Sequence, residues 1–195
     1  MARSALATAV ASLALPMSLT VSSSLLIDMI CSLVLTHLTE GFAGGHKVFL
    51  FNFKMPLDGN RGFNGDMPAI WALNGAIPRA AQYNACSCWP ACGEVDMFEV
   101  LAKGDTKCKS TFHLANGGGS SDYFDRPTDK FMKAAVVFDE DAAAVSIRVL
   151  PDNTDFSKGL DDQTVANWVT GTGGTGNSGG PKLLSSLFQI AGGLL

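Results

Sequence analysis

Three carboxylates fall within six residues of an otherwise apolar run, Glu94-Val95-Asp96-Met97-Phe98-Glu99, in a chain with only 16% charged residues. Along a strand, side chains alternate between faces, so Glu94 and Asp96 share one face. Glu99, five positions beyond Glu94, falls on the other. One extra residue, a β-bulge at Met97-Phe98, restores the parity and returns Glu99 to the side of the other two. The bulge also lets Met97 and Phe98 both turn toward a core. The run therefore predicts a bulged strand whose one side is buried and whose other side is a wall of three acids lining a cleft.

The rest of the chain supplies partners for such a strand. Residues 47–55, 69–73, 94–101, 107–114, 133–139 and 143–150 read as strands, with Glu140-Asp141 turning the last two into a hairpin. The segment 58–62 reads as a loop, and no long stretch carries a helical period. Short strands separated by turns, with 21 glycines and 8 prolines, predict an all-β fold, an antiparallel β-sandwich. A concave sheet in such a sandwich is a natural groove for an extended polysaccharide.

Two carboxyl groups held about 5 to 5.5 Å apart are the machinery of a retaining glycosidase. On this reading Glu94 attacks the anomeric carbon. Glu99 protonates the leaving oxygen and then activates the incoming hydroxyl. Asp96 lies between and tunes both, because neighbouring like charges disfavour a further ionisation and raise the pKa of the acid. The competing readings are a solvated acidic strand and a cation site. A bare Glu-x-Asp-x-x-Glu spacing is common by chance, so the surrounding residues carry the argument.

Those residues resemble a known family. Trp89-Pro90-Ala91-Cys92-Gly93-Glu94-Val95-Asp96-Met97-Phe98-Glu99 resembles the active-site strand of glycoside hydrolase family 16, the laminarinase-type β-glucanases. Phe53-Lys54-Met55-Pro56, Met67-Pro68-Ala69-Ile70-Trp71-Ala72-Leu73 and Ser110-Thr111-Phe112-His113 resemble further strands of that family. A closer resemblance, over residues 33–168, is to the Tos1-like glycosyl hydrolases of fungal and oomycete cell walls. It rests on Ala-Ile-Trp-Ala-Leu-Asn (69–74), Ile-Pro-Arg (77–79), Cys-Ser-Cys-Trp (86–89), Gly-Glu-Val-Asp-Met-Phe-Glu-Val-Leu (93–101) and Ser-Ser-Asp-Tyr-Phe (120–124) in that order. The resemblance implies a jelly roll of concanavalin-like form and an enzyme acting on a cell-wall β-glucan, β-1,3-linked. Two departures stand out. Met67 replaces an expected tryptophan platform, and some twenty residues separate a signal-like segment from the Lys-Met-Pro strand, so the sandwich is expected to lack N-terminal strands.

Net charge is −4 and the isoelectric point about 5.2. No Lys/Arg cluster offers the basic footprint a nucleic acid needs. A neutral polysaccharide needs aromatic platforms and hydrogen-bonding groups instead. Arg3 followed by an apolar 5–19 and small residues at 21–23 reads as a secretory signal over 1–23. A membrane anchor and an uncleaved segment packed into the fold are the alternatives; Asp28 breaks the apolar run and 32–38 alternates like a strand. A β-sandwich over 24–170 would follow, then a Gly-rich linker and apolar tail over 171–195, the tail a final strand or a loosely docked end. The expected location is extracellular, at the cell wall, with no cofactor and no membrane contact beyond the signal.

Five cysteines are present, Cys31, Cys86, Cys88, Cys92 and Cys108. In an oxidising compartment disulfides are the default, and four of these crowd the acidic strand. Cys86 and Cys88 are too close along an extended chain to pair with each other, so each is expected to reach Cys92 or Cys108. Such a bridge would pin the 83–91 loop and fix Trp89 at the cleft. A zinc site is the rival, but Cys-x-Cys-x-x-x-Cys lacks the paired short spacings of a structural zinc module. Cys31 is expected to be a buried free thiol.

Trp71 and Trp89 are the candidate sugar platforms, Trp71 equally readable as core. His113, on the neighbouring strand, can hydrogen-bond the sugar or serve structure. Residues 116–124 read as a flexible loop whose Tyr123 rims the groove, and Arg79 as a rim donor or a turn residue. Trp168 reads as packing. Three functions remain in view: a retaining hydrolase or transglycosylase, a non-catalytic wall protein that binds glucan through the same groove, and a metal-binding module of cysteines and acids. Three adjacent acids favour the enzyme.

Overall fold

A computed structural model describes residues 42, 44–78, 82–85, 87–116 and 118–170 with their side chains, and the backbone of 7–13 and 185–189. Its strands are β1 (Ala7–Leu13), β2 (Lys47–Phe53), β3 (Ala69–Leu73), β4 (Glu94–Glu99), β5 (Lys107–His113), β6 (Gly119–Asp125), β7 (Met132–Asp139), β8 (Ala144–Leu150) and β9 (Ser185–Gln189). Among the described residues one helix, α1 (Asp162–Thr170), lies between β8 and β9. The strands form two sheets, β1-β2-β7-β8-β9 and β3-β4-β5-β6. Every pairing is antiparallel except β1 on β2. The expected β-sandwich is the observed one.

Alternation explains the layering. On β2, Phe49, Phe51 and Phe53 turn inward between the sheets, while Val48 and Leu50 turn outward. The inner core joins Phe53, Val136, Val145 and Ile147 of the first sheet to Val95, Met97, Phe98, Phe112 and Phe124 of the second. Rings at its centre interlock, with Phe98 4.9 Å from Phe53 and 5.3 Å from Phe124. The outer face of the first sheet is also covered. Val48, Leu50, Ala135 and Val137 pack beneath Val165, Trp168 and Val169 of α1. Both faces of that sheet are therefore apolar, and the polar working face belongs to the second sheet.

Two elements differ from expectation. Residues 119–125, read as a loop for their glycines and serines, form the edge strand β6. Edge strands tolerate small and polar residues because one face and one side meet water. The helix also escapes a periodicity search, since it spans only nine residues. Its start is a local signal instead. Asp161 caps it, accepting from the Thr164 amide at 2.8 Å and the Thr164 hydroxyl at 2.9 Å. At its far end the Trp168 carbonyl accepts from Ser146 Oγ and Arg148 Nε, each at 2.6 Å, so a cation meets the negative helix end. Trp168 packs against the outer core, as expected. Cys31, Cys86, Arg79, residues 32–38 and the Gly-rich linker lie outside the described residues.

Candidate active site

Gly93 delivers the chain into β4 with φ +114°, a backbone conformation that glycine alone adopts freely. From there the register fixes what faces outward. Directly opposed residues of neighbouring strands point to the same side. Glu94 stands between Leu73 and His113, Asp96 between Trp71 and Thr111, and Glu99 between Ala69 and Lys109. The bulge is present. Ile70 opposes Phe98 and the next residue, Trp71, opposes Asp96, so Met97 is supernumerary. Met97 and Phe98 are both buried, and Glu99 returns to the face of the other two acids.

A second shift, on β6, works the same way. Lys109 opposes Tyr123 while Thr111 opposes Ser120, which brings Tyr123 into the row of Glu99. Ser110 lies between the two irregularities, fully buried. Its hydroxyl donates to the Met97 carbonyl at 2.6 Å, and its amide donates to Ser121 Oγ at 3.0 Å. The carbonyl freed by the bulge is thus satisfied without water.

The acids interact strongly. Glu94 and Asp96 are buried. Burial, the charges of Glu94 and Glu99 and a hydrogen bond to Glu94 push the Asp96 carboxyl up to about 8. Asp96 therefore keeps its proton near neutral pH and donates it to Glu94. Burial and the Glu94 charge also raise Glu99, with His113 pulling the other way. His113 Nε2 lies 3.2 Å from Asp96 Oδ2 and 3.8 Å from Glu94 Oε1. Two donors meet on the other Glu94 oxygen: Gln82 Nε2 at 2.5 Å and Trp89 Nε1 at 2.9 Å from Oε2.

Of the residues singled out in the sequence, Glu94, Asp96, Glu99, Trp71 and His113 share one sheet face. Trp71 is 42% exposed there rather than buried in the core. Trp89 arrives from its loop, and its ring meets Tyr83 perpendicularly at 4.7 Å. Tyr123 is exposed at the outer edge, with Lys109 and Lys107 ammonium groups 5.2 and 5.6 Å from its ring centre. Gln82 and Tyr83 were not singled out for the site. Tyr83 is largely exposed, and its hydroxyl is held above its ordinary pKa by partial desolvation and by the charges of Glu94, Asp96 and Glu99. A polar and an aromatic residue in an irregular loop carry no periodic signal; only proximity to the cysteines marked that loop.

Cys88 pairs with Cys92, closing a five-residue ring around Trp89. Cys108, expected as a candidate partner, is instead a free buried thiol. Alternation on β5 turns it into the sandwich core, away from the loop, and burial with the nearby Asp125 charge pushes its pKa up to about 12. Glu94, Asp96 and His113 place ligand atoms within 4.8 Å of one another, as do His46, Asp139 and Asp141 at the β7–β8 turn. Among the described residues, no helix is long and apolar enough to cross a membrane.

Comparison with known proteins gives this geometry its context. Residues 29–168 match the family described as cell wall protein YJL171C/Tos1, C-terminal. The chain is 43% identical over 153 residues to the "Probable circularly permuted 1,3-beta-glucanase TOS1" of Candida albicans, covering 72% of this chain and 32% of that protein. It is 44% identical over 138 residues to the protein of the same name in Saccharomyces cerevisiae, covering 69% and 30%. A "Probable circularly permuted 1,3-beta-glucanase" of Arthroderma benhamiae is 45% identical over 149 residues, covering 71% and 34%. The chain thus spans about a third of the length of the curated relatives it matches. No solved structure matches significantly. With a family match over most of its length and relatives above 40% identity, the chain belongs to the family of the C-terminal region of the cell wall protein YJL171C/Tos1.

Proposed function

We propose that this chain carries the active site of a secreted, retaining enzyme that cleaves or rearranges cell-wall β-glucan, with β-1,3 linkages as its substrate. The observation that carries the proposal is the Met97 bulge. It sets Glu99 on the same open sheet face as Glu94 and Asp96, beside an exposed Trp71. A solvated acidic strand needs no bulge and gains nothing from burying two of its acids.

The roles follow from where the acids stand and what holds them. Glu94, oriented by donors on Oε2, is the nucleophile and attacks the anomeric carbon through its other oxygen. Glu99, whose pKa burial and the Glu94 charge raise above the ordinary carboxylate range, gives its proton to the leaving glycosidic oxygen. Once a glycosyl–Glu94 ester has formed and the leaving group has departed, ionised Glu99 takes a proton from water or from a sugar hydroxyl. That hydroxyl attacks the same carbon and releases Glu94. Asp96 keeps its proton through both steps and shifts its hydrogen bond as charge on Glu94 is lost and regained. The relatives' names, which specify 1,3-beta-glucanase, support the substrate. The family description as a cell wall protein supports secretion.

The test is an incubation with laminarin-type oligosaccharides, followed by NMR of the first product. Release of the β-anomer, or transfer to a second oligosaccharide with β geometry, is the expected result. Glu94→Gln should abolish turnover, and Glu99→Gln should lower it by about 10²- to 10⁴-fold. Initial release of the α-anomer, full activity in either variant, or glucan binding without turnover at any pH would each refute the proposal.

A further inference from the structure

We infer that Gln82 is a positioning residue, which together with the indole N–H of Trp89 locks Glu94 so that a single carboxylate oxygen faces the sugar. This rests on the nucleophilic role proposed for Glu94. Gln82 Nε2 and Trp89 Nε1 both point at Oε2, at 2.5 and 2.9 Å. An oxygen that accepts two N–H bonds has both lone pairs engaged. Oε1 has no such pair of N–H donors; with Oε2 engaged, it is left to accept the Asp96 hydrogen bond, it lies 3.8 Å from His113 Nε2, and it keeps a lone pair for the sugar. Rotation of the carboxylate would exchange the two oxygens. Two donors from different residues, meeting on one oxygen, oppose that rotation, so the attacking atom is set before substrate arrives.

The Trp89 donor is itself fixed. The Cys88–Cys92 disulfide closes around Trp89-Pro90-Ala91. Within that ring the Cys92 amide donates to the Cys88 carbonyl, and the Gly93 amide to the Pro90 carbonyl, each at 3.1 Å. The Trp89 amide donates to Ser87 Oγ at 3.1 Å. Gly93 leads directly into Glu94, so the ring that carries the donor is continuous with the strand that carries the acceptor. The chemistry of Gln82 suits the task. A primary amide donates without adding charge, so it orients the carboxylate and leaves it anionic. A lysine there would form an ion pair, and a glutamate would offer no proton.

The experiment compares Gln82→Ala, Gln82→Glu and Trp89→Phe in the full chain, on laminarin-type oligosaccharides and on a 2-deoxy-2-fluoroglucosyl fluoride. Gln82→Ala is expected to lower kcat by roughly 10²-fold, with KM within about twofold, because Gln82 acts on the sugar through the carboxylate it holds. Inactivation by the fluorosugar should slow in proportion, since that step is attack by Glu94. The isosteric Gln82→Glu should be slower still, because it replaces a donor by a second carboxylate. Trp89→Phe keeps a ring and removes the N–H, and should reproduce the kcat loss. Unchanged kcat and fluorosugar rate in Gln82→Ala, or a loss confined to KM, would overturn the inference. The underlying reading is tested apart: Glu94→Gly supplied with azide should give the α-glucosyl azide. Failure of that rescue defeats the nucleophile assignment. Success with an unaffected Gln82→Ala defeats the positioning role alone.

Discussion

Asp96 sets the electrostatics of this site, and its behaviour is checkable residue by residue. Its raised pKa has Glu94 as a cause, through charge and through a hydrogen bond, and Glu99 is raised by Glu94 as well. Glu94→Gln should therefore lower the pKa of both remaining acids, as read by carboxyl carbon NMR titration; an unchanged Asp96 would contradict the arrangement. His113 pulls the Glu99 pKa down, so His113→Gln should move the alkaline limb of the kcat/KM profile to higher pH. Asp96 also leaves a mark on stability. A carboxyl whose folded pKa is raised contributes stability that is complete below its unfolded value near 3.8 and is lost as pH rises toward 8. Asp96→Asn should flatten that decline in denaturant titrations between pH 4 and 9. At this scale the chain was readable where chemistry is dense: Glu94, Asp96 and Glu99 announce themselves in an apolar strand. Gln82 did not, because an isolated amide in a loop looks the same whether it meets water or a carboxylate.

At the scale of the element, parity is what made β4 legible. Three acids could share a face only with one residue too many, and the structure has that residue in Met97. The cost of the device is visible in Ser110, whose buried hydroxyl satisfies the Met97 carbonyl. Ser110→Ala would leave that carbonyl unpaired in the core and should cost about 1–3 kcal/mol in denaturant unfolding, with activity falling as the bulge loosens. Unaltered stability would mean the carbonyl finds another partner. Strand β6 was not legible, since its Gly-Ser-Ser start has the composition of a loop and only pairing with β5 makes it a strand. Cys108 illustrates the same limit. It was a candidate partner for Cys86 or Cys88, but alternation along β5 sends its sulfur into the core.

Across the whole molecule, the working sheet depends on a polar anchor remote from the acids. Arg126 is buried and donates to the carbonyls of Met55, Pro56 and Asp105 and to the Asp66 carboxylate. It joins segments that follow β2, precede β3, precede β5 and follow β6. Asp66 is held below the usual carboxylate range chiefly by that hydrogen bond. Arg126→Met should strand those acceptors and lower the melting temperature by roughly 10 °C; a melting temperature within a degree of the parent would show the anchor to be dispensable. The sandwich class was readable from short alternating strands, whereas the second core under α1 was not, because it depends on how far the helix travels back over β7 and β8. The central claim, that this fold presents Glu94 to an anomeric carbon with Glu99 as its acid, is tested most directly by trapping. Incubation with a 2-deoxy-2-fluoroglucosyl fluoride and peptide mapping by mass spectrometry should find one sugar per molecule, esterified to Glu94. A label on Glu99, or no covalent adduct in a protein that still turns over glucan, would contradict it.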